Sequence, residues 1–140
     1  GEYIIPIGVA DIKKTGKDVT IVSFGKIIKE AYKASELLEK ENIECEIIDL
    51  RTIRPMDYKT IFESVKKTNR LVILEESWPF GNISTEITYQ VQSHIFDYLD
   101  APIEKINTAD TPAPYSPTLL SEWLPNANDV VKAVKKVLYI

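Results

Sequence analysis

Three short runs constrain this chain more than any other feature: Val19-Thr20-Ile21-Val22-Ser23-Phe24, the stretch from Cys45 to Leu50, and Leu71-Val72-Ile73-Leu74. They are apolar almost throughout rather than alternating, which predicts strands buried on both faces. A helical pattern follows each one. Ile27, Ile28, Ala31, Ala34, Leu37 and Leu38 recur at helical spacing, with Lys29, Glu30, Lys33, Glu36 and Glu39 on the side expected to be wetter. Tyr58, Ile61, Phe62 and Val65 make a second apolar face behind a capping Asp57, with Lys66 and Lys67 near the C-terminal end. Ile83, Ile87, Val91 and Ile95 make a third, expected to start near Asn82 and to close at Leu99.

Strand and helix in alternation predict an α/β fold, a right-handed, doubly wound three-layer sandwich with a mostly parallel sheet. Pro102 to Ile106 is a further strand candidate, and Ile7 to Ile12 a weak one before the turn Thr15-Gly16-Lys17-Asp18. Between Thr108 and Pro125, four prolines exclude a regular helix through most of the segment. Asn126 or Asn128 then opens a last helix with Val130, Val131, Val134, Val137 and Leu138 on its apolar face. At 140 residues this is the length of one domain, covering 1–140, and the start at Gly1 reads as a boundary left by processing or excision.

Composition excludes several kinds of chemistry. A net charge of −4 provides no general drive toward nucleic acid or an anionic membrane, and no apolar run approaches the roughly 20 residues of a membrane span. One His and one Cys cannot build a zinc site of the usual His and Cys ligands. Cys45 reads as a small core residue and His94 as a partly buried, hydrogen-bonded structural histidine.

Ligands of open parallel sheets bind beyond the C-terminal strand ends, here Ser23 to Lys26, Asp49 to Arg54, Glu75 to Phe80 and Asn107 to Tyr115. The single Gly25 in the first of these loops turns the chain but lacks the glycine spacing that surrounds a pyrophosphate, which argues against a nucleotide or flavin site. The acidic pocket of a two-component receiver is missing as well. Arg51 and Arg54 are candidates for interface or anion contacts, and Glu75 and Glu76 for pairing with them or for proton transfer. Trp78 and Trp123 are expected in the core or at a subunit contact. No residue is assigned a catalytic, cofactor-binding or metal-ligating role.

At these residues the sequence resembles the C-terminal domain of the beta subunit of the thiamine-diphosphate-dependent 2-oxo acid dehydrogenases, pyruvate dehydrogenase most of all. The likeness is carried by Ile5-Pro6-Ile7-Gly8, Asp18 to Phe24, Ile48-Asp49-Leu50-Arg51-Thr52-Ile53-Arg54-Pro55, Lys66 to Val72, Glu75-Glu76 with Trp78-Pro79, Tyr98-Leu99-Asp100-Ala101-Pro102, Ala109-Asp110 with Pro112 and Pro114-Tyr115, and Leu124-Pro125. It implies a five-stranded, mostly parallel sheet with one antiparallel edge strand, the weak Ile7 to Ile12 segment. It also implies oxidative decarboxylation of pyruvate by a larger enzyme that holds thiamine diphosphate and magnesium elsewhere, with none bound by this domain alone.

The partners implied are a dehydrogenase alpha subunit, a second beta subunit and the subunit-binding domain of a dihydrolipoyl acyltransferase, docked at Asp100 and the chain end, Ile140. The implied location is a bacterial cytoplasm or a mitochondrial matrix. Two other readings stay open: another thiamine enzyme, such as a branched-chain dehydrogenase or a transketolase, and a stand-alone anion-binding scaffold. The sequence departs from the family at Phe80 to Glu86, where glycines are usual, and at Ser77.

Overall fold

The computed structural model describes residues 3–140, so the expectation attached to Gly1 lies outside it. Strands β1 (Asp11–Lys14), β2 (Val19–Ser23), β3 (Cys45–Asp49), β4 (Leu71–Leu74) and β5 (Glu104–Ile106) form one sheet in the order β1-β3-β2-β4-β5. Four are parallel, and β1 runs antiparallel along β3 at the edge. The helices are α1 (Ile28–Glu39), α2 (Tyr58–Thr68), α3 (Ile83–Ile95), α4 (Pro117–Trp123) and α5 (Ala127–Leu138).

Alternate residues of the buried strands feed two cores. Val19, Ile21, Cys45, Ile47, Val72 and Leu74 face α1 and α5 and pack with Ala31, Leu38, Val130 and Val134. Val22, Ile48, Leu71 and Ile73 face α2 and α3 and pack with Ile61, Val65, Ile87 and Val91. Strands lined on both sides explain their unbroken apolar sequence. On the α2 side the buried Thr20 hydroxyl lies 2.7 Å from each of the Ser64 and Thr68 hydroxyls, which satisfies polar groups inside an apolar layer.

The helix ends follow local chemistry. Asp57 accepts the Thr60 N–H at 3.1 Å, and α2 stops at Asn69 in the left-handed conformation. Of the two asparagines that could open the last helix, Asn126 does so, in a reciprocal capping box with Asp129. Burial acts to raise the Asp57 pKa, but hydrogen bonds from the Thr60 side chain, the Thr60 N–H and the Ala10 N–H outweigh it and leave the carboxyl below its ordinary 3.8. A depressed folded-state value stabilises the fold above the ordinary pKa, and the contribution is lost as pH falls through the lowered one. Asp57→Ala is therefore expected to cost about 1 kcal/mol at pH 7, with the loss shrinking from about pH 4 downward. Urea midpoints of both proteins across that range check this; a pH-independent difference would contradict it.

Several expectations need correction. The edge strand is Asp11–Lys14, shifted toward the turn from Ile7 to Ile12, because Ile7 and Val9 lie exposed on a loop. β5 begins at Glu104 rather than Pro102. The 108–125 segment is, as expected, not helical through most of its length; its short helix α4 has Pro117 in the first turn, where the missing N–H costs no bond. α3 ends at Ile95 in a 3-10 turn, Phe96–Tyr98, so Leu99 reaches the core from outside the helix.

Side-chain expectations also change. Glu30 is buried rather than on the wet side, since its carboxylate accepts the Ala127 N–H at 3.1 Å and ties α1 to the start of α5. Leu37 is exposed instead. His94 is exposed rather than partly buried, hydrogen-bonded to the Gln90 carbonyl at 2.9 Å and stacked on Phe62. Cys45 is fully buried, and burial pushes its thiol up to about 12.

Candidate functional site

The C-terminal ends of the parallel strands gather the loops singled out by sequence, and each loop is tied down by backbone-directed bonds. After β3, Asp49 accepts the Arg51 N–H at 3.1 Å, and the Arg51 guanidinium meets Asp11 of the edge strand at 2.6 Å. Arg54 is exposed and forms no ion pair within 4.0 Å among the described residues. Glu75, after β4, is 1% exposed and accepts the Ser84 N–H at 2.6 Å, which places its charge at the positive end of α3. It makes no ion pair with either arginine, whereas Glu76 is exposed.

The Trp78 loop is held from three sides. Lys105 donates to the Pro79 carbonyl at 2.9 Å and to the Thr85 hydroxyl at 2.8 Å, and Asn82 donates to the Trp78 carbonyl. The indole N–H groups of Trp78 and Trp123 both reach the Thr111 carbonyl, each at 2.8 Å. This shared acceptor clamps the proline-rich strap onto the loop after β4. No sequence signal announced it, because the two indoles meet only through tertiary contact. Trp78 stays 51% exposed and Phe80 88% exposed, so neither is a core residue. Beside them, Pro112, Pro114, Leu119 and Trp123 help line a shallow groove of about 360 Å³.

A different corner lies at the opposite, N-terminal edge of the parallel strands. Asp100 donates its N–H to Asn69 at 2.9 Å, and its carboxylate stands 3.9 Å from the Arg70 guanidinium. Arg70 donates to the Val137 carbonyl at 3.0 Å, the Tyr139 hydroxyl reaches the Asp100 carbonyl at 3.5 Å, and the Ile140 N–H donates to Lys135 at 3.1 Å. The fold thus brings Asp100 to the same corner as Tyr139 and Ile140, across the sheet from Arg51, Arg54, Glu75, Glu76 and Trp78.

Neither corner suits a magnesium diphosphate. Among the described residues no three His, Cys, Asp or Glu side chains converge as metal ligands. The buried carboxylate of Glu75 is engaged with backbone, and Gly25 stands without other glycines to form a phosphate cradle.

Residues 8–130 match the family model described as transketolase, C-terminal domain. The chain belongs to the transketolase C-terminal domain family. A Rhizobium meliloti pyruvate dehydrogenase E1 component subunit beta is 53% identical over 138 residues, covering 99% of this chain and 30% of that protein. The mitochondrial subunit beta of Dictyostelium discoideum is 48% identical over 136 residues, covering 97% of this chain and 38% of that protein. This transketolase C-terminal domain therefore spans less than half the length of those relatives. Among solved structures, a split-gene transketolase described as an inactive beta4 tetramer superposes with a TM-score of 0.85 at 29% identity, over 96% of this chain and 44% of that one.

Proposed function

We propose that this chain is the C-terminal domain of a pyruvate dehydrogenase E1 beta subunit and serves that enzyme in assembly. The observation that carries the reading is the 48–53% identity to E1 beta subunits through nearly the whole chain. The parent enzyme decarboxylates pyruvate oxidatively and passes the acetyl group to a lipoyl acyltransferase. Thiamine diphosphate supplies the carbanion chemistry and, with magnesium, is held by other parts of the assembly. The location is a mitochondrial matrix or a bacterial cytoplasm, in keeping with mitochondrial and bacterial relatives. No helix among the described residues is long and apolar enough to cross a membrane.

In this reading the domain contacts an alpha subunit and a second beta subunit, and its Asp100 corner receives the acyltransferase subunit-binding domain. Geometry supports that role. The Asp100 side chain is 58% exposed, its loop is held by Asn69 and Tyr139, and Ile140, next in sequence to Tyr139, is 72% exposed. An exposed anion on a fixed backbone suits basic side chains of a small partner.

The test uses the full beta subunit assembled with its alpha subunit, titrated calorimetrically with the acyltransferase subunit-binding domain. Asp100→Ala and removal of Ile140 are each expected to weaken association about tenfold. Unchanged affinity in both variants would remove this corner from the docking site. An assembled enzyme that processes a branched-chain 2-oxo acid or a sugar phosphate instead of pyruvate would move the domain to another thiamine enzyme.

A further inference from the structure

A second cavity at the C-terminal strand ends is used by neither the assembly reading nor the tryptophan clamp. It lies between the loop after β3 and the first turn of α3, has a volume of about 520 Å³, and is lined by Ile53, Arg54, Met56, Tyr58, Ile83 and Glu86. Position favours a ligand, because the cavity opens beside the first turns of α2 and α3, at the C-terminal strand ends where open parallel sheets bind small molecules.

The lining defines the ligand's chemistry. Arg54 offers an exposed guanidinium with no carboxylate within 4.0 Å among the described residues, a fork suited to a carboxylate or a phosphate. Glu86 lines the same cavity and offsets the Arg54 charge, so the apolar part of the lining decides between the two. Ile53, Met56 and Ile83 give the remainder of the cavity an apolar character that a small hydrophilic anion leaves unused. The Tyr58 hydroxyl is only loosely engaged, 3.5 Å from Glu86, and is free to turn toward a ligand oxygen.

We propose that this cleft binds a small organic monocarboxylate with an apolar body, its carboxylate on Arg54 and its hydrocarbon part on Ile53, Met56 and Ile83. The inference rests on the cleft alone and stands independently of the assembly reading.

Met56 is the chain's single methionine, so a ¹³C-methyl methionine label places one resonance in the cleft. Titration of the labelled 140-residue chain with hexanoate is expected to shift that resonance saturably. Hexanol and inorganic phosphate bind at least about tenfold more weakly, since each lacks one half of the recognition. Arg54→Gln is expected to weaken hexanoate about tenfold or more, while Arg54→Lys, which keeps the charge without the fork, retains part of the affinity. The Arg54 side chain is exposed, and an unchanged amide fingerprint verifies the fold of each variant. If a variant fails that check, the unmodified chain's ranking of hexanoate against hexanol and phosphate decides. Absence of a saturable shift, hexanol or phosphate equalling hexanoate, or full affinity in a folded Arg54→Gln protein would overturn the proposal.

Discussion

Gly16→Ala is expected to destabilise the fold by about 3 kcal/mol, read as a lower urea midpoint at unchanged slope. A Cβ at Gly16 would stand 2.3 Å from the Cys45 carbonyl carbon, 2.6 Å from its oxygen and 2.6 Å from the Glu46 nitrogen. All three atoms are backbone at the start of β3, a strand paired on both sides by β1 and β2. No rotamer change relieves the overlap, and a shift of β3 disturbs both ladders at once. Gly25→Ala provides the contrast. Gly25 has a φ of +70°, and an added Cβ meets nothing within 4 Å, so only the cost of left-handed backbone applies, about 1 kcal/mol. Equal losses in the two variants would show that contact with β3 is not what demands glycine at position 16.

Glu75→Ala is expected to cost about 3 kcal/mol as well, for a different reason. The wild-type carboxylate is buried and accepts the Ser84 N–H at 2.6 Å. Removing it leaves a cavity and an unpartnered backbone donor in the first turn of α3, within the layer that joins β4 to the helix. Hydrogen exchange at the Ser84 amide should rise more than exchange in the middle of α3. Glu75→Gln keeps an acceptor oxygen and is expected to lose less than half as much, though it buries an amide that lacks a second acceptor. Glu75→Ala within about 0.5 kcal/mol of wild type would show that the bond to Ser84 contributes little. The sequence brings Glu75 forward as a candidate for proton transfer, and its partner in the structure is the helix backbone.

The strands around Ile21, Ile47 and Ile73 were readable because a strand buried on both faces has one unbroken apolar signature, and α2 and α5 because Asp57 and Asn126 are strong caps. The position of β1 is not legible in sequence because it is an edge strand of charged and half-exposed residues, Asp11-Ile12-Lys13-Lys14, whose pairing depends on β3 more than 30 residues later. Glu30 looks like any solvent-facing helical glutamate until the start of α5 is placed beside it. Arg51 and Arg54 are near neighbours in sequence, but the first is joined to Asp11 and the second opens onto a cleft. Periodicity reports which face of an element is buried and carries no information about which partner arrives from across the chain.

The clamp of two indoles on one carbonyl bears on how this domain's unfolding is observed. Trp78 and Trp123 are the only tryptophans in the chain, and both report on the Thr111 strap. Their emission therefore follows release of a surface segment, whereas circular dichroism follows the helices and sheet. A denaturation curve taken from fluorescence measures the strap's own detachment unless it coincides with the dichroic one. Agreement between the two signals is then evidence that the proline-rich segment melts together with the sheet it covers.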